Sequence, residues 1–407
     1  MNHKIIMLFY FILISIISCN DVKIQTELKQ GTWRGEILAQ KNIIPFNFKV
    51  LKNGNDYTIN VINGEEILKI DEVIVRGDSL FFNMHIFDTS IKAKINDNLL
   101  SGTYTKHYAE DYVLPFKAEF GKEDRFDSMT SNGMFDGIWE TTFTDDEKDY
   151  PAVGIFKTED GLLKGTFLTE IGDYRYLEGF ISNDTLNLFT FDGNHLFKFK
   201  AFKINDTLLK GEFWSGKTSY ETFIAKKNKN AKLTNPNELT YLKEGYESVA
   251  FSFPGLDGKP VSLEDERFKN KVVILQIMGT WCPNCMDETK FYANWYRKNK
   301  SKQIEILGLA YENSTDFEYA KDRVEKMKRK LNVEYDFVIA GTSNKQSASE
   351  SLPMLNKIMS FPTTIILDKK GMVRKIHTGF SGPATGKYYE EFVDEFNNFI
   401  QDLLEEK

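Results

Sequence analysis

Cysteine is nearly missing from this chain: 407 residues contain three, Cys19, Cys282 and Cys285, with none between positions 19 and 282. That scarcity excludes a fold stapled by disulfides and a four-cysteine zinc site. Ten prolines and 27 glycines are too few for a low-complexity or collagen-like chain. An excess of positive charge is also lacking. Fifty-two Lys and Arg stand against 59 Asp and Glu, a net charge of −7, so the basic footprint that a nucleic-acid binder needs is absent. What remains is an ordinary globular composition, 41% hydrophobic and 27% charged. At roughly 100–200 residues per domain it predicts two to four domains. Aromatics are plentiful, with 33 Phe, 18 Tyr and 5 Trp, and they suit the half-buried surface of strands.

Cys19 is explained by its neighbours. Lys4 precedes an apolar run from Ile5 to Ile17, broken only by Ser15. This run is shorter than the ~20 residues that span a bilayer, so residues 1–18 read as a signal peptide. Ile16-Ile17-Ser18-Cys19 is similar to the bacterial lipobox, which implies lipidation of Cys19 and attachment to a membrane on the periplasmic side of a bacterial cell envelope. Outside the cytoplasm, thiols meet an oxidising environment suited to disulfide chemistry.

From Asn20 to about Lys229 the pattern is strand after strand. Phe46–Val50, Tyr57–Val61 and Phe197–Lys200 alternate apolar with polar, and turn signals such as Asp160-Gly161 and Asp192-Gly193-Asn194 separate such runs. The region also repeats. Lys94–Tyr104 recurs as Lys203–Phe213 with seven identities in eleven, and Gly31-Thr32-Trp33 echoes Gly137-Ile138-Trp139 at an offset of 106. Two tandem antiparallel β-meander modules follow, at 19–128 and 129–229, each a sandwich or a small barrel. Trp33, Trp139 and Trp214 read as core aromatics, and His85, His107 and His195 lack a second ligand at a metal-like spacing, so no metal site is expected. The modules themselves could present a partner-binding face or act as a spacer.

Residues 230–247 are polar and read as a linker. Beyond them, at 248–407, buried-strand runs (Val272–Met278, Ile304–Ala310, Phe337–Ala340, Thr363–Leu367) alternate with helical periodicity, clearest in Thr315–Lys330 and Tyr388–Leu404. Such alternation predicts an α/β layer with parallel strands. Directly after the first run comes Gly279-Thr280-Trp281-Cys282-Pro283-Asn284-Cys285. Two cysteines three apart at a strand-to-helix junction suit thiol–disulfide exchange. An exposed Cys282 at the helix N-terminus would attack, and Cys285, one turn along and facing inward, would resolve through a Cys282–Cys285 disulfide. Glu288 lies one helical turn past Cys285, placed to move its proton, with Asp287 pointing away. Half a zinc site would need two further ligands, and this region offers only His377.

Lys271–Leu275, the Trp281–Cys285 motif and Phe361-Pro362-Thr363-Thr364 together resemble the TlpA/ResA type of thioredoxin-like thiol–disulfide oxidoreductases, over about residues 245–407. The resemblance implies that Pro362 is a cis-proline beside the cysteines, that Phe361 offers main-chain hydrogen bonds to a substrate strand, that Trp281 covers one side of the sulfurs, and that Glu288 is the family's acidic residue beneath the site. Family members commonly carry proline directly before the second cysteine, where this chain has Asn284. Gly379–Pro383 and Ser381–Tyr388 fit neither a hydrolase elbow nor a phosphate-binding loop, and Gly279 stands where a peroxiredoxin would have Thr or Ser. The expected function is an exported, lipid-anchored reductase of disulfides in partner proteins, fed by a membrane thiol-reductant donor, without a cofactor. The competing expectation is a ligand- or partner-binding lipoprotein whose thioredoxin-like domain is redox-idle.

Overall fold

The computed structural model describes residues 27–127, 133–146, 148–300 and 302–406. The signal-peptide segment 1–18 and Cys19 lie outside the described residues.

The N-terminal region is all β. Its first module runs through β1 (Gly31–Ala39), β2 (Asn42–Asn53), β3 (Asp56–Asn63), β4 (Glu66–Ile70), β5 (Val73–Arg76), β6 (Ser79–Asn83), β7 (Thr89–Asn96), β8 (Leu99–Lys106) and β9 (Val113–Phe120). The second repeats this series as β10 (Gly137–Thr144), β11 (Asp149–Glu159), β12 (Leu162–Thr169), β13 (Gly172–Asp173), β14 (Leu177–Ser182), β15 (Thr185–Phe191), β16 (Leu196–Asn205), β17 (Leu208–Ser215) and β18 (Ser219–Lys227). Alternation drives the strands. In β9, Leu114, Phe116 and Ala118 turn inward while their neighbours face out. Asp97, Asp160 and Asn183 take the left-handed conformation at hairpin turns, which short polar side chains tolerate. The repeat extends to single hydrogen bonds: the indole N–H of Trp33 donates to the Lys29 carbonyl at 3.0 Å, and that of Trp139 to the Phe135 carbonyl at 2.8 Å, four residues back in both.

The two copies close differently. In the first, β4 pairs with β3 from Ile59 to Asn63 and occupies its edge, so the sheet stays open, ordered β4-β3-β2-β1-β9-β8-β7-β6-β5. In the second, β13 is a two-residue remnant, which frees Leu163–Gly165 of β12 to pair with β14. Because β11 pairs with both β10 and β12, and β10 with β18, that sheet closes into a barrel. Phe143, Phe167, Phe199, Phe213 and Phe223 pack inside it, with the Phe199 and Phe213 rings stacked at 4.1 Å.

The C-terminal region opens with a short hairpin, β19 (Phe253–Pro254) and β20 (Pro260–Val261), followed by a sheet of β21 (Val272–Met278), β22 (Ile304–Glu312), β23 (Asp336–Thr342), β24 (Thr363–Leu367) and β25 (Val373–Thr378). The helices are α1 (Pro283–Asn299), α2 (Phe317–Leu331), α3 (Lys345–Ser351) and α4 (Lys387–Glu405). Strand order is β23-β22-β21-β24-β25. The expectation of parallel strands holds for β21, β22 and β23, whereas Thr363–Leu367 runs antiparallel to β21. The physical reason is the connection. The segment between β23 and β24 holds only the short α3 and stays at the end of the sheet where β23 stopped, so β24 starts from that end and runs back beside β21.

Residues 230–247 form no helix, and they are strapped to the C-terminal domain. Lys243 N–H donates to the Met354 carbonyl at 2.8 Å, Asn356 N–H to Tyr241 at 2.9 Å, and Thr378 N–H to Pro236 at 3.0 Å. The first module docks on α2, where Lys326 pairs with Glu72 at 2.8 Å, Lys330 with Asp71, and the Tyr319 hydroxyl donates to Asp88 at 2.7 Å.

The glycine in the repeated Leu-Leu-x-Gly phrase has a steric cause. A Cβ on Gly165 would sit 2.1 Å from the Ile155 carbonyl oxygen, and one on Gly102 would sit 1.9 Å from that of Lys92. Gly165→Ala is expected to destabilise the protein by about 1–3 kcal/mol through this overpacking, seen as a lower urea midpoint at an unchanged slope.

Candidate functional site

The all-buried strand β21 delivers the chain to a tight turn at Gly279. A Cβ there would lie 2.2 Å from the Trp281 indole nitrogen, so glycine lets the indole fold back and donate to the Tyr311 carbonyl at 2.9 Å. Glu312 supports the turn from below, accepting the Thr280 N–H at 2.8 Å and its hydroxyl at 2.7 Å. Cys282 is then the N-cap of α1, its Sγ accepting the Cys285 N–H at 3.2 Å at the positive end of the helix dipole. Pro283 occupies the first helical position, where a missing N–H costs nothing. Phe361 and Pro362 are joined by a cis peptide, the Phe361 carbonyl oxygen lies 3.4 Å from Cys282 Sγ, and the Trp281 ring meets the Phe361 ring edge-on at 5.6 Å. Both thiols are free.

Cys285 is fully buried, and burial, followed by its hydrogen bond to Cys282, pushes its thiol well above the ordinary value. Glu288 is fully buried as well. Its two oxygens accept from the Thr364 hydroxyl at 2.8 Å and the Gln276 amide at 2.9 Å. Neither partner carries charge, so desolvation prevails and the carboxyl is pushed up to about 8.

What surrounds the helix corrects the expectation of an exposed Cys282, and it buries Asp287, which points away from Cys285 as expected. Cys282 is only 6% exposed. It is reached through a cleft of about 850 Å³ between the C-terminal domain and the second β module. Asp287 does not face solvent: it is buried against Arg175, Oδ2 to Nη1 at 2.5 Å. Arg175, from the turn between β13 and β14, is 0% exposed. It also bonds Glu66 of the first module at 2.5 Å, lies 3.1 Å from Asp192, and donates to the Pro283 carbonyl at 2.7 Å. Glu66 in turn pairs with Lys290 of α1 at 2.7 Å. The second module holds the rest of the turn too. Asn194 donates to the Trp281 carbonyl at 2.8 Å, and Asn284 donates to the Asp173 carbonyl at 3.0 Å. Asn284 therefore has work at the position where proline is common, since proline has no side-chain donor.

Arg175, Asp173, Asn194, Glu66 and Glu312 carried no readable sign in the sequence. The first four sit in or beside turns, where polar residues are expected to be solvated. Glu312 ends the β22 run, where an acid is expected to face solvent and instead is buried.

Arg175→Met is expected to destabilise the protein by about 3–5 kcal/mol, because Asp287 and Glu66 would be left buried without their partner. Arg175→Met with Asp287→Leu should recover part of that loss in the same urea titration. Glu288 gives a pH signature. Its folded value of about 8 lies above the ordinary 4.5, so the native state holds the extra proton, and stability is full below the lower value and falls as pH rises through the upper one. Subtracting the pH profile of Glu288→Gln from that of the wild type should therefore isolate a decline of about 1.4 kcal/mol per pH unit within that window.

The C-terminal region is similar to known proteins. Residues 243–391 match the Redoxin family model. The chain is 30% identical over 153 residues to the thioredoxin-like protein YneN of Bacillus subtilis, spanning 38% of this chain and 80% of that protein. It is 26% identical over 160 residues to the thiol-disulfide oxidoreductase ResA of the same organism, spanning 39% and 77%. A thioredoxin-family thiol:disulfide interchange protein from Chlorobium tepidum aligns with 20% identity and a TM-score of 0.30, over 40% of this chain and 98% of that one. With a dithiol at a helix N-terminus on this fold, the chain belongs to the TlpA/ResA-type thioredoxin-like family of thiol–disulfide oxidoreductases.

Proposed function

We propose that this chain is an exported, membrane-anchored reductase of disulfides in partner proteins. The observation that carries the reading is the asymmetry of the two thiols: Cys282 Sγ lines the cleft and accepts the Cys285 N–H at 3.2 Å, while Cys285 is fully buried. In the reaction, the Cys282 thiolate attacks one sulfur of the substrate disulfide. A mixed disulfide forms and the other substrate sulfur leaves as a thiolate. Cys285 then loses its proton and attacks Cys282 Sγ, which releases the second substrate thiol and leaves a Cys282–Cys285 disulfide. Burial disfavours the Cys285 thiolate, so resolution needs a base close by. Glu288, whose carboxyl titrates at about 8, is matched to take that proton near neutral pH. Phe361, with Pro362, lies where its main chain could pair with an incoming strand.

Returning the disulfide to the dithiol takes two electrons from outside, and a membrane thiol-reductant donor is the partner proposed. Family membership supports the reductive direction and favours it over a redox-idle binding lipoprotein. The Ile16-Ile17-Ser18-Cys19 sequence supports anchoring through an acylated Cys19 at the periplasmic face of the cell envelope.

Cys285→Ser is expected to accumulate a partner protein linked through Cys282, resolved on non-reducing gels and released by dithiothreitol. Cys282→Ser should trap nothing. A wild-type protein that fails to reduce insulin, together with an empty Cys285→Ser trap, would sink the proposal.

A further inference from the structure

We infer that the second β module forms half of the substrate site, and that the substrate disulfide enters on a narrow, extended peptide segment with a large apolar or aromatic side chain beside it. The inference rests on the reductase reading above and concerns what that site admits.

Access comes first. Cys282 is 6% exposed and lies on one wall of the cleft with Trp281, Met359 and Phe361. The facing wall belongs to the second module, with Tyr150, Tyr174, His195 and Phe197 inside, and Pro151 and Ile171 also lining it as exposed side chains. Attack on a disulfide requires sulfur-to-sulfur contact. A folded protein presenting a disulfide on a broad surface would have to bring its sulfur past a facing wall that includes the exposed Pro151 and Ile171. A few residues of extended chain fit instead, since about 850 Å³ falls inside the roughly 300–1,000 Å³ typical of ligand clefts.

The cleft width is set by hydrogen bonds across its floor and edge. The Ser360 hydroxyl donates to the Ile171 carbonyl at 2.7 Å, which ties the facing wall to the segment before Phe361 and Pro362. Asn284 to Asp173 and Asn194 to Trp281 hold the other side. These bonds join the two halves close to the sulfur, so the β module could not swing clear without breaking them.

The facing wall also shows what it binds. Its polar groups are turned on one another: the Tyr150 hydroxyl donates to Glu221, and the Tyr150 and Tyr174 hydroxyls are 2.8 Å apart. His195 Nδ1 is engaged by Asp192 at 3.0 Å, and its ring stacks on Phe197 at 4.4 Å. Beside these engaged groups the lining is largely apolar or aromatic, with Pro151 and Ile171 exposed and Tyr150 and His195 partly so, and such a lining favours an apolar or aromatic neighbour. Charges at the mouth are mixed, Lys148 and Lys345 with Asp145 and Asp149, which gives no preference for a substrate of one sign.

The test compares three probes with the reduced full chain: a ten-residue peptide with one internal disulfide flanked by Phe, the same peptide flanked by Ser, and a folded protein with a surface disulfide. The Phe peptide is expected to show a kcat/KM about tenfold or more above the folded protein, and about threefold or more above the Ser peptide. Ile171→Trp, which fills the facing wall, should lower kcat/KM for the Phe peptide about tenfold while changing Cys282 alkylation by iodoacetamide by less than about twofold. Pro151→Trp supplies the same readout should Ile171→Trp fail to fold. Equal rates for folded protein and peptide, or unimpaired peptide reduction by the folded Trp variants, overturn the inference. A wild type that is alkylated at Cys282 yet reduces none of the probes overturns the reductase reading itself.

Discussion

A guanidinium without solvent has to be neutralised, and the arrangement of this molecule follows from where Arg175 finds its counter-charges. Its partners come from three places: Asp287 on the redox helix, Glu66 on the first β module and Asp192 on its own module. The effective cost of burying an unpaired ion is several kcal/mol, and the carboxylates that offset it here are drawn from all three bodies. The charges weld the β modules to the C-terminal domain at the start of α1. The remaining hydrogen bond of Arg175, to the Pro283 carbonyl, lands between the two cysteines. In this chain the active-site turn is therefore held from outside its own domain.

Two consecutive acids on α1 show how strongly environment decides chemistry. Asp287 faces a cation and is part of an ion network. Glu288, the next residue, faces the Gln276 amide and the Thr364 hydroxyl and is driven toward its neutral form. The same functional group is ion-paired at one position and held toward its neutral form at the next. Cys282 and Cys285 divide in a similar way, one on the cleft wall and one buried, although three positions of a single helix separate them.

The duplicated β region makes a related point about small differences. Strand follows strand in equivalent order in both copies, yet the shortening of one strand from five residues in β4 to two in β13 turns an open sheet into a closed barrel. Closure matters for the site. The barrel ends in the turns that carry Asp173, Arg175 and Asn194 and in the wall that faces Cys282.

Much of this was legible in the residues alone, because it depends on local pattern. Alternation in runs such as Phe46–Val50 and the Lys94–Tyr104 repeat identified β modules, and the Cys282 to Cys285 spacing after a buried run placed two cysteines at the start of a helix. Periodicity reports which side of an element is buried; it does not report against what. The antiparallel run of β24 depended on which end of the sheet the chain re-enters after α3, the burial of Asp287 on an arginine more than a hundred residues away, and the low exposure of Cys282 on a module that looked independent. By itself the sequence determined the family and fold, a thioredoxin-like domain with two cysteines at a helix start behind a tandem β region. Only the tertiary structure decided how enclosed that dithiol is, because enclosure arises from long-range pairing of buried charges and turn hydrogen bonds, which leave no periodic trace along the chain.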